Sequence, residues 1–155
     1  MYWAMPVLDP WYVTGLCDGE AAFTYNRSGG TFCIAFGFKQ RADNKELVED
    51  LRAFFNYIGG IYLTKGAAPT KNSGTTSPSV YFRVSRGSEL VEIINHFDKY
   101  PLQSKKKLEA YKIWREMAMH KRENFRRPDY DKMRALAERL SASNSKSRAF
   151  KVHSR

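Results

Sequence analysis

The amino-acid sequence predicts an α+β domain: a four-stranded antiparallel sheet with helices on one face and further helices at the C-terminal end. Three observations carry this expectation. The hydrophobic period switches between two and about 3.6 along the first hundred residues. The period-two segments come in pairs joined by turn-rich sequence, which favours hairpins over crossovers. The acidic residues are confined to the other segments, which separates a cationic sheet from its cover.

The elements follow in order. Trp11 to Glu20 reads as a helix leading into a strand, with Gly15 and Gly19 four apart on one face. Phe23 and Tyr25 alternate with Thr24 and Asn26, and Phe32, Ile34, Phe36 and Phe38 alternate with Thr31, Cys33, Ala35, Gly37 and Lys39. The Ser28-Gly29-Gly30 turn joins them as a hairpin. Leu47, Val48, Leu51, Phe54, Phe55 and Ile58 have helical spacing, with Asp43 or Asn44 as N-cap and Gly59 as the stop. Ile61 and Leu63, then Val80, Phe82 and Val84, form a second hairpin around a Gly/Ser/Thr/Pro-rich loop from Gly66 to Pro78. Ser88 opens a helix carrying Leu90, Val91, Ile94 and Phe97, which ends before Tyr100-Pro101. Ser104 opens another through Leu108, Tyr111, Ile113, Trp114 and Met117, and a short helix spans Pro128 to Leu140. The order is αββαββα with C-terminal helices. Residues 1–140 are expected to be the domain and 141–155 a basic, flexible tail.

Helices on one sheet face leave the other open. The alternation puts Thr24, Asn26, Ser28, Thr31, Cys33, Lys39, Tyr62, Thr64, Tyr81, Arg83 and Ser85 there. No Asp or Glu lies between Ala21 and Ala42, a segment containing Arg27, Lys39 and Arg41. None lies between Gly59 and Ser88, a segment containing Lys65, Lys71, Arg83 and Arg86. Polarity alone describes any solvated sheet face. The missing carboxylates point to a polyanion, because an acid facing phosphates is costly. The C-terminal third adds 16 basic against six acidic residues and accounts for the net charge of +10.

Other chemistries find no support. No apolar run reaches the roughly 18 residues of a membrane span, and residues 1–8 lack the pattern of a secretory signal. Cys17 and Cys33 suggest neither a metal quartet nor a disulfide framework. His96, His120 and His153 have no zinc-site spacing, and His96 reads as a packed or surface histidine. There is no phosphate-binding loop of the G-x-x-x-x-G-K-[ST] type.

The first helix departs from ordinary amphipathic design. Each Gly costs about 1 kcal/mol of helix propensity, a cost offset where two helix backbones must approach closely. Asp18 and Glu20 sit at the unfavourable end of the helix dipole and need a cation or hydrogen bonds. Val13 to Ala21 (VTGLCDGEA) resembles the LAGLIDADG motif of homing endonucleases. The FGFKQRADNKELVEDL, FFNYIGG and FDKYPLQSKKK segments follow in that family's order, so the similarity covers residues 8–115. Ala21 departs from the motif's final Gly, which raises the prospect of strain at the helix–strand junction.

The resemblance implies specific roles. Glu20 would be the essential metal ligand, with Asp18 a weaker one of more structural character. Gln40 would position solvent near the scissile phosphate, and Lys105 or Lys106 would stabilise charge or activate water, with Gln103 a weaker candidate nearby. Besides the open-face residues, Arg27, Arg41, Lys65 and Lys71 are expected to contact DNA. Trp11, Tyr12, Gly15, Leu16 and Gly19 would form the interface of a homodimer, because single-motif members pair their motif helices. The expected cofactor is Mg²⁺, with Mn²⁺ or a non-catalytic Ca²⁺ able to occupy the site. The expected partner is double-stranded DNA carrying a near-palindromic site, with intron RNA as a further candidate and no membrane. The implied function is intron-encoded homing inside the cell, in a mitochondrion or chloroplast. An RNA maturase or a DNA-binding regulator on the same fold is the alternative.

Overall fold

Asp9 starts the first helix. In the computed structural model, which describes residues 8–66 and 77–145, its carboxylate accepts the Trp11 and Tyr12 amides at 2.9 and 3.3 Å. Pro10 occupies the first turn, where its missing N–H costs nothing. Helix α1 (Pro10–Glu20) buries Val13, Thr14 and Cys17 and leads directly into β1 (Ala21–Ser28). Ala21 at the junction has φ −76° and ψ 152°, ordinary extended backbone, so Ala in place of the motif Gly introduces no strain.

A two-residue Gly29-Gly30 turn returns the chain into β2 (Thr31–Arg41). A short 3₁₀ turn (Ala42–Asn44) precedes α2 (Lys45–Phe54). The helix stops five residues before the expected Gly59, because Asn56 and Tyr57 both adopt positive φ, 61° and 62°. The Arg52 guanidinium holds that turn by donating to the Tyr57, Ile58 and Gly59 carbonyls at 3.1 Å. Only glycine fits at 59. Its φ is +63°, and a Cβ there would stand 2.3 Å from the Arg83 carbonyl oxygen.

Strands β3 (Gly60–Thr64) and β4 (Ser79–Val84) complete an antiparallel sheet of order β1-β2-β4-β3. Helices α3 (Gly87–Lys99), α4 (Lys105–Glu123) and α5 (Tyr130–Ser145) follow. The expected mixed α+β architecture is observed. Helix α5 runs past Leu140, where the last helix was expected to end, to Ser145.

The core lies between the sheet and its helices. Phe23 meets Phe36, Phe97, Tyr111 and Trp114 with ring centroids 5.1–5.6 Å apart. Truncating such a ring typically costs about 3–5 kcal/mol. Trp114 also donates its indole N–H to the Ala35 carbonyl at 2.9 Å, which fastens α4 to β2. The β1 edge is covered by α5. Asn144 donates to the Phe23 carbonyl at 3.2 Å and Ser141 meets the Tyr25 hydroxyl at 2.7 Å, which removes an aggregation-prone edge. At the opposite edge Leu63 stays 65% exposed, although its alternation reads as core-facing. Among the described residues no helix is long and apolar enough to cross a membrane.

Candidate nucleic-acid interface and metal-binding carboxylate

The strand register decides which side chains reach the open face. Phe36 pairs with Val84 and Phe38 with Phe82, all buried against the helices. The intervening pairs therefore point away: Thr24 with Ala35, Asn26 with Cys33, Ser28 with Thr31, Lys39 with Tyr81, Arg41 with Ser79, Tyr62 with Tyr81 and Thr64 with Ser79. Arg83 lies between Gly37 and Gly60 on the same face. Tyr62 and Tyr81 stack at 5.3 Å, and the Thr64 hydroxyl is already engaged by the Ser79 hydroxyl. These strand positions hold no acid.

Two residues expected to contact DNA lie off the open face. Arg27 pairs with Phe32 on the helix-side face and lays its guanidinium 5.0 Å from the Phe32 ring centroid. Ser85 falls beyond the end of β4 and lines a helix-side cavity of about 240 Å³ with Ser88, Leu90, Lys121 and Arg122. Lys65 is exposed just past β3. Lys71 lies outside the described residues.

Glu20 ends α1 at the corner where two clefts meet. One, of about 650 Å³, is lined by Glu20, Lys39, Gln40, Arg41, Ser77, Pro78 and Ser79. The other, of about 300 Å³, runs along the open sheet face past Ala22, Gly37, Lys39, Tyr81 and Arg83. The expected pair of Glu20 and Gln40 thus shares one cleft. Gln40 accepts the Asn44 amide N–H at 2.9 Å, which leaves its own amide N–H group to other partners. Glu20 is exposed and receives no hydrogen bond or ion pair among the described residues.

Asp18 has a different environment. Its Oδ2 accepts the Gln103 and Ser104 amides at 2.9 Å, and Oδ1 lies 3.2 Å from the Ser104 nitrogen. Ser104 is the N-cap of α4, so the carboxylate satisfies otherwise orphaned N–H groups at a positive helix end. The carboxylate is thus a tether between α1 and the start of α4, which matches the more structural character expected of it. Gln103 folds its own amide back onto the Pro101 carbonyl at 3.0 Å.

Lys105 and Lys106 are exposed in the first turn of α4. Lys107 turns inward instead, donating its ammonium to the Ala21 carbonyl, immediately after Glu20. Burial pulls its pKa below the ordinary lysine value, while the nearby Asp18 and Glu20 carboxylates act in the opposite direction. The signal was available in the sequence, since Lys107, Tyr111 and Trp114 share one helical face and the latter two are core residues.

A metal ion has to be judged against these donors. Among the described residues no three His, Cys, Asp or Glu side chains form a cluster able to hold one. A single exposed Glu20 fits Mg²⁺, which keeps several waters and takes one or two carboxylates plus substrate phosphates.

Among the described residues nothing packs over Gly15 and Gly19 on the outward face of α1. Trp11 and Tyr12 are 51% and 50% exposed, and a Cβ added at Gly15 or Gly19 would meet nothing within 4 Å. Leu16 is partly buried against the core. The opposite face is fixed internally: the Thr14 hydroxyl donates to the Tyr100 carbonyl at 2.8 Å and meets His96 Nε2 at 2.9 Å.

Comparison with known proteins identifies relatives of this fold. An uncharacterised 50.9 kDa protein in ND4 intron 1 of Podospora anserina is 32% identical over 112 residues, 66% of this chain and 22% of that protein. The structure of I-SmaMI bound to an uncleaved DNA target with calcium ions superposes with a TM-score of 0.70, at 22% identity, over 94% of this chain and 48% of that one. I-GzeII in complex with its DNA target gives 0.64 at 20% identity, over 92% and 45%. These likenesses establish the fold, and the chain spans about half the length of both structures. The profile of the LAGLIDADG endonuclease family matches residues 13–118, from the motif helix into α4. On that match across most of its length, the chain belongs to the LAGLIDADG endonuclease family.

Proposed function

We propose that the protein is a site-specific, divalent-metal-dependent DNA endonuclease that acts as a homodimer on a near-palindromic target and promotes homing of the intron that encodes it. The observation that carries this reading is the position of Glu20: exposed, without a hydrogen bond among the described residues, and at the meeting point of two clefts on a cationic sheet face.

One copy of this chain offers half of what the chemistry needs. Two Glu20 carboxylates together with phosphate oxygens would make a site suited to Mg²⁺. When bound, such an ion supplies Lewis acidity at the phosphate and charge stabilisation during hydrolysis. The chain's own residues bind and position. Gln40 orients solvent in the shared cleft, Lys105 or Lys106 supplies positive charge beside it, and the sheet face fixes the duplex. Arg83 and Asn26 suit guanine and adenine edges in the major groove, while Lys39 and Arg41 hold phosphates near the cleavage centre.

The paired arrangement is supported by the open Gly15 and Gly19 face with its exposed aromatic rim. A two-fold dimer presents two identical sheets and so demands a site of matching symmetry. The intron origin is supported by the relative described from an intron of ND4; residence in a mitochondrion or chloroplast rests on the family resemblance. The binding-only alternatives lose the one feature that favoured them, because Ala21 sits unstrained at the motif's final position. Selection of cleaved sites from a randomised duplex library with Mg²⁺ tests the proposal. Glu20→Gln should bind the selected site and leave it intact.

A further inference from the structure

We infer that Lys107 is the built-in counter-ion of the cleavage centre, a positioning residue that lets two motif-helix ends approach before any divalent cation binds. The inference rests on the homodimer reading above and adds to it.

The negative charge at the end of α1 is concentrated. The helix C-terminus, Asp18 and Glu20 lie within one turn, and no basic residue occupies that last turn. Asp18 is compensated by the Gln103 and Ser104 amides just before α4, but Glu20 has no such partner among the described residues. Bringing a second Glu20 to the same centre adds repulsion, which grows as water is excluded. Lys107 is bonded directly to this junction, its ammonium donating to the Ala21 carbonyl. It is half-buried and feels the charges of both Asp18 and Glu20. Its bond also fixes the Ala21–Ala22 peptide unit, one residue beyond Glu20 at the start of β1. The ammonium thus opposes the dipole and carboxylates from inside the protomer, on the side away from the DNA face.

A counter-ion makes a prediction that a structural lysine does not. Without it, assembly on DNA should need an external cation. The test measures binding of the full chain to its selected duplex in chelator and in Ca²⁺. The parent should bind in chelator. Lys107→Met should bind at least tenfold more weakly in chelator and recover to within about threefold of the parent in Ca²⁺, while Lys107→Arg should retain binding in both. Adding Glu20→Gln to Lys107→Met should restore binding in chelator without Ca²⁺, which separates charge from folding. Unchanged binding by Lys107→Met in chelator overturns the inference, as does an equal loss in chelator and Ca²⁺ that Glu20→Gln does not relieve. A parent that binds as a monomer sinks the homodimer reading instead, and sedimentation of the complexes distinguishes the two failures.

Discussion

Asp18 and Ser104 are 86 residues apart in the chain, and the Asp18 carboxylate accepts the Ser104 amide at 2.9 Å. That bond joins the end of the motif helix to the start of α4. It explains why two acids separated by one glycine have different fates. Asp18 is spent on a helix N-terminus, and Glu20 remains exposed beside the clefts.

Removing the tether should cost stability more directly than chemistry. Asp18→Ala leaves the Gln103 and Ser104 N–H groups at the entry to α4 to solvent and deletes charge-assisted hydrogen bonds. A loss of about 1–2 kcal/mol is expected in urea unfolding. Asp18→Asn retains one acceptor oxygen and should lie between the two.

His96 makes the fold sensitive to mild acid. It is buried among Phe54, Phe55, Phe97 and Tyr100, and burial pushes its pKa down to about 4. The Thr14 hydroxyl donates to Tyr100, so it accepts from His96 Nε2–H and fixes the neutral tautomer. The unfolded chain takes up this proton near pH 6.5, before the folded one does. Stability from this group is therefore full above about pH 6.5 and declines as pH falls towards 4. The loss should be on the order of a few kcal/mol. His96→Gln should flatten this part of the pH profile measured by thermal melting.

Gly15→Leu should separate folding from assembly. A Cβ at this position meets nothing within 4 Å in the protomer, and Leu is the better helix former by nearly 1 kcal/mol. The melting temperature of the monomer should hold or rise. Sedimentation equilibrium should show dimerisation weakened, because the added side chain occupies the space the second helix needs.

Arg83 and Arg27 lie on opposite sheet faces, which makes them a matched pair for testing the interface. Arg83→Ala should cost about 1–3 kcal/mol in DNA affinity and relax the preference at one position per half-site. Arg27→Ala should leave the selected sequence unchanged. Its effect should be limited to stability, through loss of the contact over Phe32.

Most of the architecture was legible because it rests on local periodicity. Phe32 to Phe38 alternate along one strand, and the register confirms which side they bury. The misplacements have separate causes. Arg27 was assigned from its acid-free neighbourhood, although the alternation through Phe23 and Tyr25 already put it on the helix side. Ser85 followed an alternation that stopped one residue earlier, at Val84. The early end of α2 depends on Arg52 reaching three carbonyls across a left-handed turn, and no apolar spacing encodes that reach. At the site, the motif pointed to both acids. It also set Glu20 above Asp18, but the partner that holds Asp18, the Ser104 amide, is hidden by sequence separation.

The central claim is that Glu20 serves cleavage and not binding. Its most direct measurement compares parent and Glu20→Gln on the selected duplex with Mg²⁺, scoring bound and cut DNA in the same samples. The account predicts equal binding, double-strand cleavage by the parent, and cleavage by the variant reduced at least a hundredfold. Equal cleavage by both proteins, or no cleavage by a parent that binds its site tightly, would contradict it.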